Sequence, residues 1–388
     1  MERSYLDHAS ASPPHPAAIA AYSQVADQFF ADPTRRHREG RAARDLLEQA
    51  RGVVAKTLGG SPDRCLFTSG GTEAVHLAVR GAARANRTRP ARVISAAVEH
   101  SAVLAAADQS GVEHVRVPVD RVGRIDLDAL RQALRAGALL VNLQHANHEV
   151  GTIQPVREAA ALCREADALL HVDACQTIGR LPVSFDDLGA DLLSWSAAKF
   201  GGGRGSGGVL WWPRARLAGV LTGDEREHRR RSGLEHLPGI VAAAEALLQL
   251  RPNDPEGPAA EEAERADTLR RRLRERLTQT VEDLAVHGPE DGALPHLVAA
   301  SALYVEGQAL VDGLDRAGFA VHSGSSCATT SGEPSHVLVA MHALTHGHIR
   351  ASWGPDTTAA ELEAFATTVG DVVGQLRAHL APGTRSHR

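Results

Sequence analysis

Over residues 171–212 the chain reads HVDACQTIGRLPVSFDDLGADLLSWSAAKFGGGRGSGGVLWW, and Asp173 and Lys199 within it form a pair with a defined chemical use. The apolar residues Ala168, Leu169, Leu170 and Val172 suit a buried parallel strand with Asp173 at its carboxyl end. A second strand over 191–196 is followed within a few residues by Lys199, in a glycine-rich turn. Open α/β sheets bind ligands in the crevice at that edge. A lysine and an aspartate delivered there together are what pyridoxal phosphate chemistry requires. The amine forms a Schiff base, and the carboxylate keeps the pyridine nitrogen protonated so that the ring withdraws electrons.

Lys56 and Lys199 are the only lysines among 42 basic residues. Arginine is effectively never deprotonated and cannot act as a Schiff-base amine, whereas the lysine pKa falls readily on burial. A sequence that writes arginine almost everywhere else, yet keeps a lysine among glycines, needs an amine there. Gly203, Gly205 and Gly208 also satisfy GxGxxG, but the dinucleotide fingerprint requires a helix after it. Val209, Leu210, Trp211, Trp212 and Pro213 follow, a strand signature, so these glycines read as a sharp turn that lets backbone approach a ligand.

The elements that would position these groups alternate along the chain. The spacing predicts helices over 16–30 and 41–58, the second with Leu46, Leu47, Val53, Val54 and Leu58 on one side. A strand over Cys65–Thr68 then turns through Ser69, Gly70 and Gly71 into a helix starting near Thr72. Free N–H groups at such a turn bind anions, and we assign the cofactor phosphate to Gly71 and Thr72. Strands are predicted over 93–97, 112–117 and 138–143, helices over 101–109, 127–135 and 156–168. His100, Asn147, His148, Asp173, Gln176 and Lys199 all fall just after predicted strands and should meet at one sheet edge. The alternation gives an α/β fold with a large, doubly wound, mostly parallel sheet.

After Trp212 the segment GDEREHRRRSGLEHLPG is either a solvated charged face or, through Arg229, Arg230 and Arg231, counter-charge for a phosphate. A helix over 240–250 ends at RPNDPEGP, which reads as a domain boundary. Helices over 259–277, 307–317 and 361–379, with short strands near 297–305 and 320–322, form a smaller α+β domain. The expected division is 16–255 for the large cofactor-binding domain and 1–15 with 256–388 for the small one.

Composition narrows the class further. A chain of 388 residues has ample length for both domains, and its net charge of -5 argues against nucleic-acid binding by phosphate neutralisation. No apolar run reaches transmembrane length and no basic-then-apolar leader opens the chain, so a cytoplasmic protein without a membrane partner is expected. Cys65, Cys163, Cys175 and Cys327 show no CxxC spacing and fit reduced thiols, with no metal site.

The second stretch with chemistry is VHSGSSCATTSGEPSHVL. Cys327 sits there among Ser, Gly and Thr, where an accessible thiol is a candidate nucleophile. Cys65 and Cys163 lie in apolar patterns and read as core, and Cys175 as packing. Further on, HIRASWG offers Arg350, whose guanidinium fork suits a substrate carboxylate.

TSGGTE, the pair Glu99 and His100, HVDACQ, SWSAAK, RSG at 231–233, SGSSC and IRAS occur in the order and approximate spacing of the cysteine desulfurases. The chain resembles these pyridoxal phosphate enzymes of the class V aminotransferase fold over nearly its whole length. The segment from Cys327 through Pro334 to Val337 resembles the long loop of the iron–sulfur and nitrogen-fixation type. The whole also resembles the desulfurase that supplies sulfur for DNA phosphorothioation. The resemblance implies a fold-type-I transferase that binds pyridoxal 5′-phosphate, forms a homodimer, converts L-cysteine to L-alanine and passes sulfur to an acceptor protein. By matching position, Lys199 is the Schiff-base lysine and proton shuttle, Asp173 the pyridinium partner, and His100 the ring stacked on the cofactor and an acid/base group. Gln176 bonds the phenolic oxygen with His148 near it, Gly71, Thr72 and Ser196 hold the phosphate, and Arg350 and Asn147 bind the substrate. Cys327 takes the sulfur as a persulfide. Selenocysteine lysis, transamination and a cofactor-free sulfur-relay scaffold are the alternatives the same pattern leaves open.

Three positions depart from the family pattern: Ala198 replaces the His before the lysine, His148 the second Asn of an NNE motif, and Leu234 the Thr after RSG. Two of these remove phosphate ligands, each hydrogen bond to a charged group being worth about 1.5–3 kcal/mol. Arg229, Arg230 and Arg231 are candidates to compensate.

Overall fold

The computed structural model describes residues 3–323 and 334–380. Its strands in chain order are β1 (Ser4–Tyr5), β2 (Cys65–Thr68), β3 (Arg92–Ala96), β4 (Glu113–Val117), β5 (Leu140–Gln144) and β6 (Leu169–Asp173). They continue with β7 (Leu192–Ser196), β8 (Gly207–Trp211), β9 (Leu284–His287), β10 (Leu297–Ala302), β11 (Phe319–Ala320) and β12 (His348–Ser352). Seven form the main sheet in the order β2-β8-β7-β6-β5-β3-β4, in which only β8 runs against the rest. From β3 the chain steps outward to β4, then returns to the other side of β3 as β5 and proceeds through β6 and β7. That reversal between β3 and β5 opens the crevice in which such sheets bind ligands.

Strand residues alternate between two buried faces. Cys65, Phe67, Val141, Leu143, Leu170, Val172, Leu193 and Trp195 join one apolar core, while Leu66, Leu140, Leu169, Leu192 and Val209 join another on the opposite face. Burial on both faces is why these strands read as continuous apolar runs in the sequence. β8 follows the glycine turn directly, as a strand and not a helix. A Cβ on Gly208 would stand 2.3 Å from the Leu66 carbonyl oxygen, so the close strand approach demands glycine there.

A third core, with Leu6, Leu273, Val298, Ile349, Trp353 and Phe365, lies under the antiparallel sheet β12-β10-β9 and helices Pro258–Thr280 and Ala359–Leu380. β1 pairs in parallel with β11 and brings the N-terminus to this core. β9 and β12 were not among the predicted strands, although His348, Arg350 and Ser352 alternate with Ile349 and Ala351, which face the core. The predicted helix over 41–58 begins earlier, as Arg38–Thr57, because the His37 ring accepts the Gly40 N–H at 3.1 Å and caps it. The helix expected over 156–168 stops at Glu165. Among the described residues no helix is long and apolar enough to cross a membrane.

Candidate active site

At the carboxyl edge of the main sheet lies a cavity of about 140 Å³ whose lining includes Gly71, Thr72, His100, His148, Asp173, Gln176, Ser196 and Lys199. They come from the ends of five strands, β2, β3, β5, β6 and β7, or from the turns after them, as the alternation requires. Asp173 closes β6, and its Oδ1 accepts from the Cys175 N–H at 3.0 Å and from Ser194 Oγ at 3.3 Å. Lys199 ends a short turn after β7. Its Nζ donates to the carbonyls of Ala9 and Ser10 at 2.7 and 2.6 Å, and burial lowers its pKa. A less basic amine is a more available nucleophile and proton acceptor.

His100 caps helix Ser101–Asp108 through Nδ1, which accepts the Ala102 N–H at 3.1 Å, so the neutral ring carries its proton on Nε2. Burial, followed by the neighbouring His148, pulls its pKa down to about 4 and keeps it neutral at physiological pH. The two rings meet edge to face at 4.9 Å. His148 is more deeply buried, and burial holds it neutral too. Neither of its ring nitrogens has a hydrogen-bond partner among the described residues, although Glu149 Oε1 stands 3.5 Å from Nε2.

Gly71 opens helix Gly71–Ala85, whose first-turn N–H groups have no intrahelical acceptor. A Cβ at Gly71 would stand 2.8 Å from Cys175 Sγ, so glycine keeps this anion turn open. Glu73 accepts from Ser69 N at 2.8 Å and from Arg231 Nε at 2.9 Å. Arg231 is therefore paired with Glu73, Arg229 with Glu225, and Arg230 lies over the Trp211 ring at 4.9 Å. None of the three lines the cavity, although Arg230 and Arg231 line a neighbouring pocket that shares Thr72 with it.

Two substrate-binding expectations change. Asn147 is fully buried but does not line the cavity: its amide donates to Val98 O and accepts from the N–H groups of Glu149 and Val150, so it builds the turn that presents His148. Arg350 also stands outside the lining. Its guanidinium donates to Asp7 Oδ1, Ser10 Oγ and the His148 carbonyl, each at 2.8 Å. Asp7 and Ser10 were missed because their roles come from a segment remote in sequence. Cys175, expected as packing, lines the cavity, and burial followed by the Asp173 charge raises its pKa far above the usual thiol value. Cys65 and Cys163 are core, as expected, their thiols pushed up to about 12 by burial. Cys327 lies outside the described residues.

Residues 4–365 match the family described as aminotransferase class-V. The chain belongs to that family, whose members use pyridoxal 5′-phosphate. Within it, the chain is 36% identical over 380 residues to the cysteine desulfurase IscS of Dictyoglomus turgidum, covering 96% of this chain and 95% of that one. It is 38% identical to a cysteine desulfurase of Cereibacter sphaeroides, covering 97% of each. A solved NifS-like protein superposes with a TM-score of 0.85 at 29% identity, covering 96% of this chain and all of the other.

The residues present fit the cofactor. The cavity offers an amine, a carboxylate, an open anion turn, two hydroxyls at Thr72 and Ser196, and the unpartnered nitrogens of His148. A buried polar atom without a partner costs roughly 1–3 kcal/mol, so these nitrogens are suited to a ligand.

Proposed function

We propose that the chain is a pyridoxal phosphate-dependent cysteine desulfurase that converts L-cysteine to L-alanine and collects the sulfur on Cys327. The observation that carries this is the convergence of Lys199, Asp173 and His100 on one cavity of a chain that is 38% identical to a cysteine desulfurase. The bound cofactor supplies an electron sink that acidifies the substrate Cα–H and weakens the Cβ–S bond. Lys199 tethers the cofactor and then, as a neutral amine, takes the Cα proton. Asp173 holds the ring nitrogen protonated, Thr72 and Ser196 hold the phosphate, and Gln176 with His148 faces the phenolic oxygen. His100 covers the ring and handles a proton through Nε2. Arg350 receives the substrate carboxylate once Asp7 yields. The Cys327 thiolate then attacks the substrate sulfur as the Cβ–S bond breaks. L-cysteine and the Cys327 thiol become L-alanine and a Cys327 persulfide, with atoms and electrons balanced.

The cofactor is held by the unit over 16–255, and Cys327 is carried by the unit of 1–15 with 256–388. Support comes from separate apolar cores on the main sheet and beneath β10 and β12. The protein acts in the cytoplasm as a homodimer. Ile19, Tyr22, Phe30 and Leu234 are exposed on or near helix Pro16–Gln28, with Tyr22 against His236, and a second copy would cover them. A sedimentation mass of one chain would contradict the dimer. The persulfide sulfur passes to an acceptor protein, serving iron–sulfur assembly or DNA phosphorothioation. L-alanine release from L-cysteine under reductant tests the reaction. It should collapse in Cys327→Ser while the cofactor remains bound, whereas equal release from both proteins would remove Cys327 from the mechanism.

A further inference from the structure

Asp173 is one end of an unbroken line of side-chain hydrogen bonds that crosses the main sheet. Ser194 Oγ lies 3.3 Å from Asp173 Oδ1 and 3.0 Å from His171 Nε2. His171 Nδ1 is 3.0 Å from Asn142 Oδ1, and Asn142 Nδ2 is 3.0 Å from Ser95 Oγ. Ser95 Oγ is 3.0 Å from His114 Nε2, and His114 Nδ1 is 2.6 Å from Asp108 Oδ1 at the end of helix Ser101–Asp108. The line thus runs through β7, β6, β5, β3 and β4. Strand register puts Ser95 opposite Asn142, Asn142 opposite His171, and Asp173 opposite Ser194, so the members share one face of the sheet.

Ser95, Asn142, His171 and Ser194 are each 0% exposed. Leucine or valine fills comparable sheet positions beside them, and a polar side chain there is tolerated only when its hydrogen bonds are made. Burial holds His171 neutral, with a pKa near 4, so its ring has one donor and one acceptor nitrogen. Ser194 has a single hydroxyl proton and two acceptors within reach, Asp173 Oδ1 and His171 Nε2. Which one receives it is decided by the direction of the whole line. With the Asn142 oxygen toward His171, the imidazole proton sits on Nδ1 and the Ser194 proton goes to His171. The Ser194 hydroxyl donates to Asp173 Oδ1, so the line runs toward Asp173. His171 donates from Nε2 to Ser194, and the Asn142 amide is turned over so that its nitrogen, not its oxygen, faces His171 Nδ1. Asp173 Oδ1 then has two donors, the Cys175 N–H and Ser194 Oγ. Two donors on one carboxylate oxygen fix its orientation.

We propose that Ser194, His171, Asn142 and Ser95 are positioning residues that hold the Asp173 carboxylate oriented toward the cofactor's ring nitrogen. This rests on the reading of Asp173 as the partner of that nitrogen. Two quantities test it in the full chain: the dissociation constant of pyridoxal 5′-phosphate from the reconstituted protein, and the position of the bound cofactor's visible absorbance band. Ser194→Ala should weaken cofactor binding roughly tenfold, the loss of one hydrogen bond to a charged acceptor. Asn142→Leu lies outside the cavity and should weaken binding about threefold, because hydrogen bonds in a line polarise one another. Both should move the band in the direction in which Asp173→Asn moves it. Should Asn142→Leu fail to fold, Ser95→Ala, a smaller truncation one link further out, should move the band the same way. A ladder variant that lowers Tm while leaving band and affinity at wild-type values would overturn the proposal and make the line purely structural. Wild-type affinity and band in Asp173→Asn would instead overturn the reading of Asp173 beneath it.

Discussion

Glu99 is fully buried beside the cavity, its Oε1 accepting the Gln144 N–H at 2.7 Å and its Oε2 without a partner among the described residues. Burial raises its pKa to about 8, with the Asp173 charge adding to the shift. The folded protein therefore holds a proton here that the unfolded chain releases near its ordinary value of 4.5. Stability from this proton is fully present below that value and is lost as pH rises through about 8. Glu99→Gln mimics the protonated acid, so its Tm should match wild type near pH 5 and exceed it increasingly towards pH 8.5, as thermal unfolding across pH would show. A constant Tm difference across that range would mean that Glu99 is ionised in the folded state. At this scale the sequence was partly legible: Lys199 stood out because the chain spends almost no lysine elsewhere. Glu99 was recognised only as the neighbour of His100, since nothing in one sequence shows that its carboxyl is walled off from water.

Strand ends were the most legible elements, because β6 and β7 are buried on both faces and carry the apolar runs that mark them. The N-terminal segment was not, since its partners are distant in sequence. Ala9 O accepts from Lys199 and Gln176, Ser12 Oγ donates to Lys199 O, and Asp7 neutralises Arg350. In HIRAS the arginine is the conspicuous feature, and the period-two alternation that makes it β12 spans only 5 residues. Asn147 was misassigned because position after a strand does not reveal that a side chain is spent on its own turn. In the proposed reaction the segment from Asp7 to Ser12 would compete with substrate, because Asp7 occupies the Arg350 guanidinium assigned there to the substrate carboxylate. Asp7→Asn should tighten L-alanine binding to the cofactor-loaded protein about fivefold, since a buried guanidinium left without its carboxylate favours another. Cysteamine, which has no carboxylate, should bind unchanged. Weaker L-alanine binding in calorimetry would show that Asp7 only holds Arg350 in place.

At the scale of the molecule, alternating strands and helices placed the cofactor residues on one sheet edge, and the family match over 4–365 extends that agreement through all three cores. How the third core joins those of the main sheet was less legible. Leu6 reaches the third core from the far end of the sequence, while Leu297, Val337 and Met341 from the C-terminal part pack into the first. Ser335 Oγ donates to Glu149, and His336 Nε2 lies 2.9 Å from Glu99 O, so the chain that follows the Cys327 stretch is fastened beside the cavity. His322 and Arg350 exchange backbone hydrogen bonds on the side that precedes it. The central claim is that sulfur leaves L-cysteine in this cavity and arrives on Cys327. Its most direct test is mass spectrometry of the intact cofactor-loaded protein after L-cysteine is added without reductant. The account predicts a gain of one sulfur atom, mapped to Cys327 and absent in Lys199→Ala. Sulfur retained on another cysteine, or none retained while L-alanine accumulates, would contradict it.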